Sequence, residues 1–330
     1  MAQVTLLLSP DALASAYGEP VLGRLRAQVD CLAVITPGDA WRDNLGVLEK
    51  TEVICSGWGA PRMDAEFLSH APKLRTILYA GGSVRYFITD AVWRRGIRVS
   101  TAQAINAIPV AEYTVSALLL GLKRFWHYAR VTRETRDFPS ERPMPGAFGS
   151  VVGLVSYGMI ARLARARLRS LEIEVIVHDP FLSDEEARRE GVRKVGLDDL
   201  FATADAVSVH TPHLRETVGL IQGRHLESMR PGALFLNTAR GEVVDEVAMC
   251  AVLQRRPDLT AVLDVTAPEP PAPGSPLYTL PNVVLTPHIA GSVGRECLRM
   301  GQAMVEEYER LSAGQPLRWE ITADRAGLIA

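Results

Sequence analysis

Short apolar runs alternate with amphipathic stretches along almost the whole chain. In residues 1–100, Val4–Leu8, Leu32–Ile35, Val53–Cys55, Thr76–Tyr79 and Ile97–Val99 have the continuity of strands buried on both faces. Between them Pro10–Tyr17, Pro61–His70 and Thr89–Arg95 repeat apolar residues at helical spacing. The alternation resumes after residue 150. Val151–Val155, Val175–Val177, Ala206–His210, Ala233–Asn237, Thr260–Asp264 and Val283–Thr286 are strand-like, and helices are expected near Leu197–Ala202, His225–Met229 and Val247–Arg255. Asp245 is placed to cap the last of these. Strands and helices in alternation predict an α/β protein with parallel sheets.

Two longer helical patterns interrupt this rhythm. Residues 109–134 form one pattern after Pro109, apolar nearly all round once Leu119, Leu120, Phe125 and Trp126 are counted. Such a helix is buried from several sides, as at a domain junction or a subunit interface. The proline-bearing loop DFPSERPMPGAFG follows it and marks a crossover. The second pattern runs from about Ser292 to Ala313, and the tail GQPLRWEITADRAGLIA is expected to return to the N-terminal unit.

Within Val151–Pro180 the pattern is strand, turn, helix, strand, with Asp179 closing the second strand 21 positions after Gly158. A dinucleotide site needs this layout: a glycine lets pyrophosphate approach a helix N-terminus, and a carboxylate accepts from the ribose. The turn itself, Ser156-Tyr157-Gly158-Met159-Ile160-Ala161, keeps only the middle glycine of G-x-G-x-x-G. Alone, it does not separate a nucleotide site from an ordinary βαβ unit. The loops Ser56-Gly57-Trp58-Gly59 and Ala80-Gly81-Gly82-Ser83-Val84 also follow strands, where open sheets bind ligands, but glycines there can equally just turn the chain.

Composition adds bounds. A length of 330 residues suggests two domains, and 47% hydrophobic with 22% charged residues is ordinary for a globular protein. A net charge of −2 gives no reason to expect nucleic acid or an acidic membrane surface as partner. Cys31, Cys55, Cys250 and Cys297 lack metal or CxxC spacing and sit in apolar segments, so buried free thiols are expected and no metal site. The N-terminal apolar run is too short for a leader or a membrane span, which makes a cytoplasmic protein the expectation.

Three chemically useful residues follow three later strands: Arg240 in NTARG, Glu269 in TAPEP and His288 in PHIAG. Reduction of a 2-oxo acid needs a proton donor at the carbonyl oxygen, and imidazole titrates near neutrality. A neighbouring carboxylate fixes its tautomer and favours the protonated ring. A guanidinium grips the substrate carboxylate with its fork of donors.

NTARGEVVDE, LDVTAPEPP, LPNVVLTPHIAGS, SVHTPHLRETVGLI and MRPGALFLNTARG together resemble the D-isomer-specific 2-hydroxyacid dehydrogenases. The resemblance covers nearly the whole chain and is densest over 151–291. It implies two Rossmann-like or flavodoxin-like domains joined by two crossover helices, one made of 1–102 with 292–330 and the other of 103–291. NAIPVAEYTVSALLLGLKR resembles the family's crossover and dimerisation helix, so a homodimer is expected. Catalytic duty is implied for Arg240, Glu269 and His288. NAD contacts are implied at Tyr157, Gly158, Met159, Ile160 and Asp179, and at His210, Thr211 and Pro212. Further contacts are implied at Thr238, Ala239, Arg240, Asp264, His288, Ala290 and Gly291. Gly82, Ser83 and Val84 match the family's carboxylate loop and join Arg240 and His288 as substrate contacts. Ser156, Ala161 and Ser83 depart from the family's glycines, and Arg85-Tyr86 replaces its usual acidic/amide pair. Pro180 and Phe181 follow Asp179 without an arginine, which favours NAD(H) over NADP(H). The competing class is an NAD-binding corepressor with little turnover, on the same architecture.

Overall fold

The computed structural model describes residues 3–29 and 31–327, which divide into two compact units, one on either side of the boundaries at 106/107 and 291/292: the two ends of the chain form the first and 107–291 the second. Thirteen strands occur among the described residues. They are β1 (Gln3–Leu7), β2 (Cys31–Ile35), β3 (Val53–Ser56), β4 (Thr76–Tyr79), β5 (Arg98–Thr101), β6 (Val151–Val155) and β7 (Glu174–His178). Then come β8 (Arg193–Lys194), β9 (Ala206–Val209), β10 (Leu234–Asn237), β11 (Thr260–Leu263), β12 (Val283–Leu285) and β13 (Glu320–Ile321).

In the first unit the order β13-β5-β4-β3-β1-β2 is parallel except for β13, which pairs antiparallel with β5 through Glu320↔Ser100. Its parallel part has the flavodoxin-like order, with a switch point between β1 and β3. Side chains alternate between two apolar layers: Val4, Leu6 and Leu78 on one face, Leu7, Ile77 and Tyr79 on the other. The helix Glu296–Ser312 lies wholly in this unit, against the helices Pro10–Ala16 and Glu19–Arg26. It therefore covers the sheet of this unit, directly after the chain returns from the second unit at Ser292.

The second unit has the order β12-β11-β10-β9-β6-β7-β8, all parallel. Read from β8, this is the Rossmann order extended by one strand, with its switch point between β6 and β9. Val151 and Val155 pack to one side, Val152 and Leu154 to the other, which is why the β6 run shows no polar alternation.

The long helical pattern is corrected by the structure. It begins at Gln103, so Pro109 lies inside the helix Gln103–Leu122 and not in its first turn. It also breaks at Arg124, whose φ of 49° ends one helix before Phe125–Thr135 starts. The Arg124 guanidinium donates to the carbonyls of Pro143 and Asp258, both at 3.3 Å, contacts that no helical periodicity encodes. Similarly, the helix expected from Pro61 starts at Ala65: Met63 forms a bridge with Ile88, and Asp64 caps the helix by accepting from the Phe67 N–H. Cys55, Cys250 and Cys297 are buried free thiols, while the side chain of Cys31 lies outside the described part of the structure.

Candidate active site

The second unit gathers most of the expected residues at the carboxyl ends of its strands. After β6, Ser156 takes a left-handed φ of 70°, a conformation that costs a residue with a Cβ about 1–2 kcal/mol. Its Oγ lies 2.9 Å from Thr211 Oγ1, so the two hydroxyls bridge the β6 and β9 ends across the switch point. Gly158 then caps the helix Met159–Leu168, whose N–H groups no side chain satisfies. A Cβ there would meet no heavy atom within 4 Å, so packing does not demand glycine at this position. What glycine leaves is open space beside uncapped donors, the condition for a phosphate to approach. The predicted apolar face of this helix is buried at Ala161, Ala164 and Leu168.

Asp179 serves the same turn. Its carboxylate accepts from the Tyr157 and Phe181 N–H groups, both at 2.7 Å, and retains acceptor capacity for ribose hydroxyls. Tyr157 is 2% exposed, with its N–H committed to Asp179 and its hydroxyl buried without a partner. Met159 is exposed and Ile160 half-buried at the open helix end. His210 donates or accepts at Ser208 Oγ through Nε2, 3.0 Å away, while Nδ1 is buried without a partner. Burial lowers its pKa to about 4. The Thr238 hydroxyl is also buried and unpartnered, after β10. Three orphaned polar atoms, on Tyr157, His210 and Thr238, with open helix donors and a ribose-competent carboxylate, fit a dinucleotide.

Arg240, Glu269 and His288 follow the consecutive neighbours β10, β11 and β12. Arg240 Nη1 donates to the Ala239 carbonyl at 2.6 Å, and Asn237 holds the Arg240 carbonyl at 3.0 Å. Gly241 allows this loop to lie on the next one: a Cβ would sit 2.0 Å from the Thr266 carbonyl carbon. His288 Nδ1 is 2.7 Å from Glu269 Oε1, the pairing expected of an imidazole and the carboxylate that fixes its tautomer. Both side chains are a little under half exposed, at 45% and 44%.

Asp264 lies beneath this pair, 1% exposed. Its carboxylate accepts from Thr286 Oγ1 at 2.5 Å, Ile289 N at 2.9 Å and Ala290 N at 2.8 Å. Three of roughly four acceptor positions are thereby used, leaving one for a cofactor donor. Thr286, and Tyr113 which contacts it at 3.0 Å, were not singled out by sequence, because the contact spans 173 positions. The loop Gly82-Ser83-Val84 belongs to the first unit and follows β4; no hydrogen bond engages the N–H groups of Gly82 and Val84 among the described residues. The other glycine loop is explained by packing, since a Cβ on Gly59 (φ 80°) would strike Ser9 at 2.6 Å.

Residues 115–290 match the D-isomer specific 2-hydroxyacid dehydrogenase NAD binding domain. The chain is 34% identical over 257 residues to a D-3-phosphoglycerate dehydrogenase of Archaeoglobus fulgidus, covering 78% of this chain and 49% of that protein. It thus spans about half the length of the phosphoglycerate dehydrogenases it matches. It is also 34% identical over 251 residues to an (S)-sulfolactate dehydrogenase of Chromohalobacter salexigens, covering 76% of this chain and 81% of that one. A crystal structure from Thermus thermophilus superposes with a TM-score of 0.76 at 29% identity, covering 97% of this chain and all of that one.

Proposed function

Because the chain belongs to the D-isomer specific 2-hydroxyacid dehydrogenase family, we propose that it interconverts a 2-oxo acid and a D-2-hydroxy acid with NAD(H). The observation that carries this reading is the 2.7 Å pair of His288 and Glu269, at the β12 and β11 ends, in line with Arg240 at the neighbouring β10 end. NAD(H), when bound, supplies or accepts the hydride. Gly158, Met159 and Ile160 hold its diphosphate at the helix N-terminus, Asp179 the ribose, and Thr211, Pro212, Thr238, Ala239, Asp264, Ala290 and Gly291 the remainder. With Nδ1 committed to Glu269, His288 has Nε2 left to give a proton to the substrate's carbonyl oxygen and to take it back in the reverse direction. Arg240 binds the substrate carboxylate and polarises the adjacent carbonyl; in the first unit, Gly82, Ser83 and Val84 are the proposed carboxylate loop.

Oxidation of NADH with a panel of 2-oxo acids bearing neutral, phosphorylated and sulfonated side chains tests the reading, and the absence of turnover with every member would overturn it. The Asp179 carboxylate repels a 2′-phosphate, so kcat/KM is expected to be higher with NADH than with NADPH. His288→Gln should lower kcat by about 10²–10⁴-fold, whereas Arg240→Lys should raise KM for the acid more than for NADH.

A homodimer built on residues 109–150 accompanies this activity. Phe125, Phe138 and Phe148 are 49%, 74% and 77% exposed there, and the helix Phe125–Thr135 buries none of its residues within the chain. An apolar surface of this kind suits a second copy on a two-fold axis. Light scattering should give twice the 36.1 kDa chain mass, and a purely monomeric species at micromolar concentration would refute it. The buried free thiols suit a reducing compartment, the cytoplasm.

A further inference from the structure

We propose that Tyr113 and Thr286 are positioning residues for His288, acting through the Asp264 carboxylate; the role rests on the reading of His288 as the acid/base. His288 sits at φ 53°, in the left-handed region, where a residue with a Cβ is strained by about 1–2 kcal/mol. Such a conformation persists only where its surroundings over-determine it. Here Asp264 and Thr286 do so together. The His288 N–H is shared between the Asp264 and Thr286 carbonyls, both at 3.0 Å, and the next two N–H groups, of Ile289 and Ala290, donate to the Asp264 carboxylate. The backbone on both sides of the imidazole is thus tied to Asp264.

The carboxylate is itself oriented from the other side. Thr286 has one hydroxyl proton, and at 2.5 Å that proton goes to Asp264 Oδ1. The 3.0 Å contact between Tyr113 Oη and Thr286 Oγ1 must therefore run from the phenol to the threonine. Partial burial raises the Tyr113 pKa, which keeps that donor in place through the neutral range. The order is fixed: the phenol sets the Thr286 rotamer, Thr286 sets the carboxylate, and the carboxylate holds the 288–290 turn. Without the hydroxyls the carboxylate turns more freely and holds the Ile289 and Ala290 N–H groups less tightly, so the turn shifts part-way towards negative φ and Nδ1 is drawn off Glu269 in part of the population.

The test compares Tyr113→Phe, Thr286→Val and Thr286→Ser with wild type by two measurements. Long-range ¹H–¹⁵N correlation of the His288 ring, assigned with His288→Gln and recorded where the ring is neutral, reports its tautomer without turnover. Wild type and Thr286→Ser should show the Nδ1–H tautomer alone, Thr286→Val a mixture, and Tyr113→Phe a smaller admixture. In steady state, Thr286→Val should lower kcat roughly 10-fold and Tyr113→Phe roughly 3-fold, the scale of a slightly misplaced reacting group, with Ser restoring most of the rate. KM for NADH should rise as well, since Asp264 and Ala290 are also proposed cofactor contacts, so the ring tautomer is the readout that separates positioning of His288 from weaker cofactor binding. Unchanged tautomer in Thr286→Val and Tyr113→Phe, or a Thr286→Ser enzyme as impaired as Thr286→Val, overturns the proposal. If wild type turns nothing over, the proposed reaction fails, and the tautomer still decides whether these hydroxyls position the ring.

Discussion

His210 is a buried base held neutral beside the β9 end, its pKa lowered to about 4 by desolvation. In the unfolded chain a histidine titrates near 6.5. On acidification the unfolded state therefore takes up the proton first. The stability this provides is complete above about pH 6.5 and is lost as pH falls towards 4. Between pH 7 and pH 5 the loss amounts to about 2 kcal/mol. Urea unfolding of wild type and His210→Gln at both pH values should show a steeper acid loss for wild type by about that amount; parallel behaviour would place the proton elsewhere. Such residue-level facts were only partly legible. Asp179 was recognisable from its place after a strand, yet its bonds to Tyr157 and Phe181 depend on a turn that the sequence does not print. Ser156 could be read as a departure from glycine, but not the Thr211 hydroxyl that engages it across the switch point.

Among the elements, the loops after β10 and β11 are the most sensitive to one added atom. Gly241→Ala would place its Cβ on the backbone of Thr266, 2.0 Å from the carbonyl carbon and 2.2 Å from its oxygen. Backbone has nowhere to rotate away, so we expect a loss of about 1–3 kcal/mol in unfolding free energy. Activity should fall further, since Arg240 and Glu269 ride on the two loops being forced apart. A variant as stable and as active as wild type would show that this contact is looser than the structure has it. Strands buried on both faces were legible because they leave continuous apolar runs. The helix break at Arg124 was not, because what holds it are carbonyls of Pro143 and Asp258, remote in sequence. β8 and β13, two residues each, are too short to leave a pattern at all.

At the scale of the whole molecule, the division into two α/β units followed from chain length and from the change of rhythm at the long helix. The strand orders did not, since periodicity marks strands but carries no information on which neighbours pair. The tail's return was anticipated, and β13 carries it out by pairing with β5. That return means the first unit is made from two separated pieces, 1–106 and 292–329, with the second unit inserted between them. Its apolar layer includes Cys297, Met300, Ala303, Met304 and Tyr308 from the later piece. On a ribosome moving at about 5–20 residues per second, residues 1–106 wait some tens of seconds for that layer to arrive. Birth order is therefore inverted: the middle of the protein can finish folding while its beginning is still half a core, exposed to chaperones and proteases. Pulse proteolysis of stalled nascent chains should find 107–291 protected once it clears the exit tunnel, and 1–106 protected only after the 296–321 segment has followed.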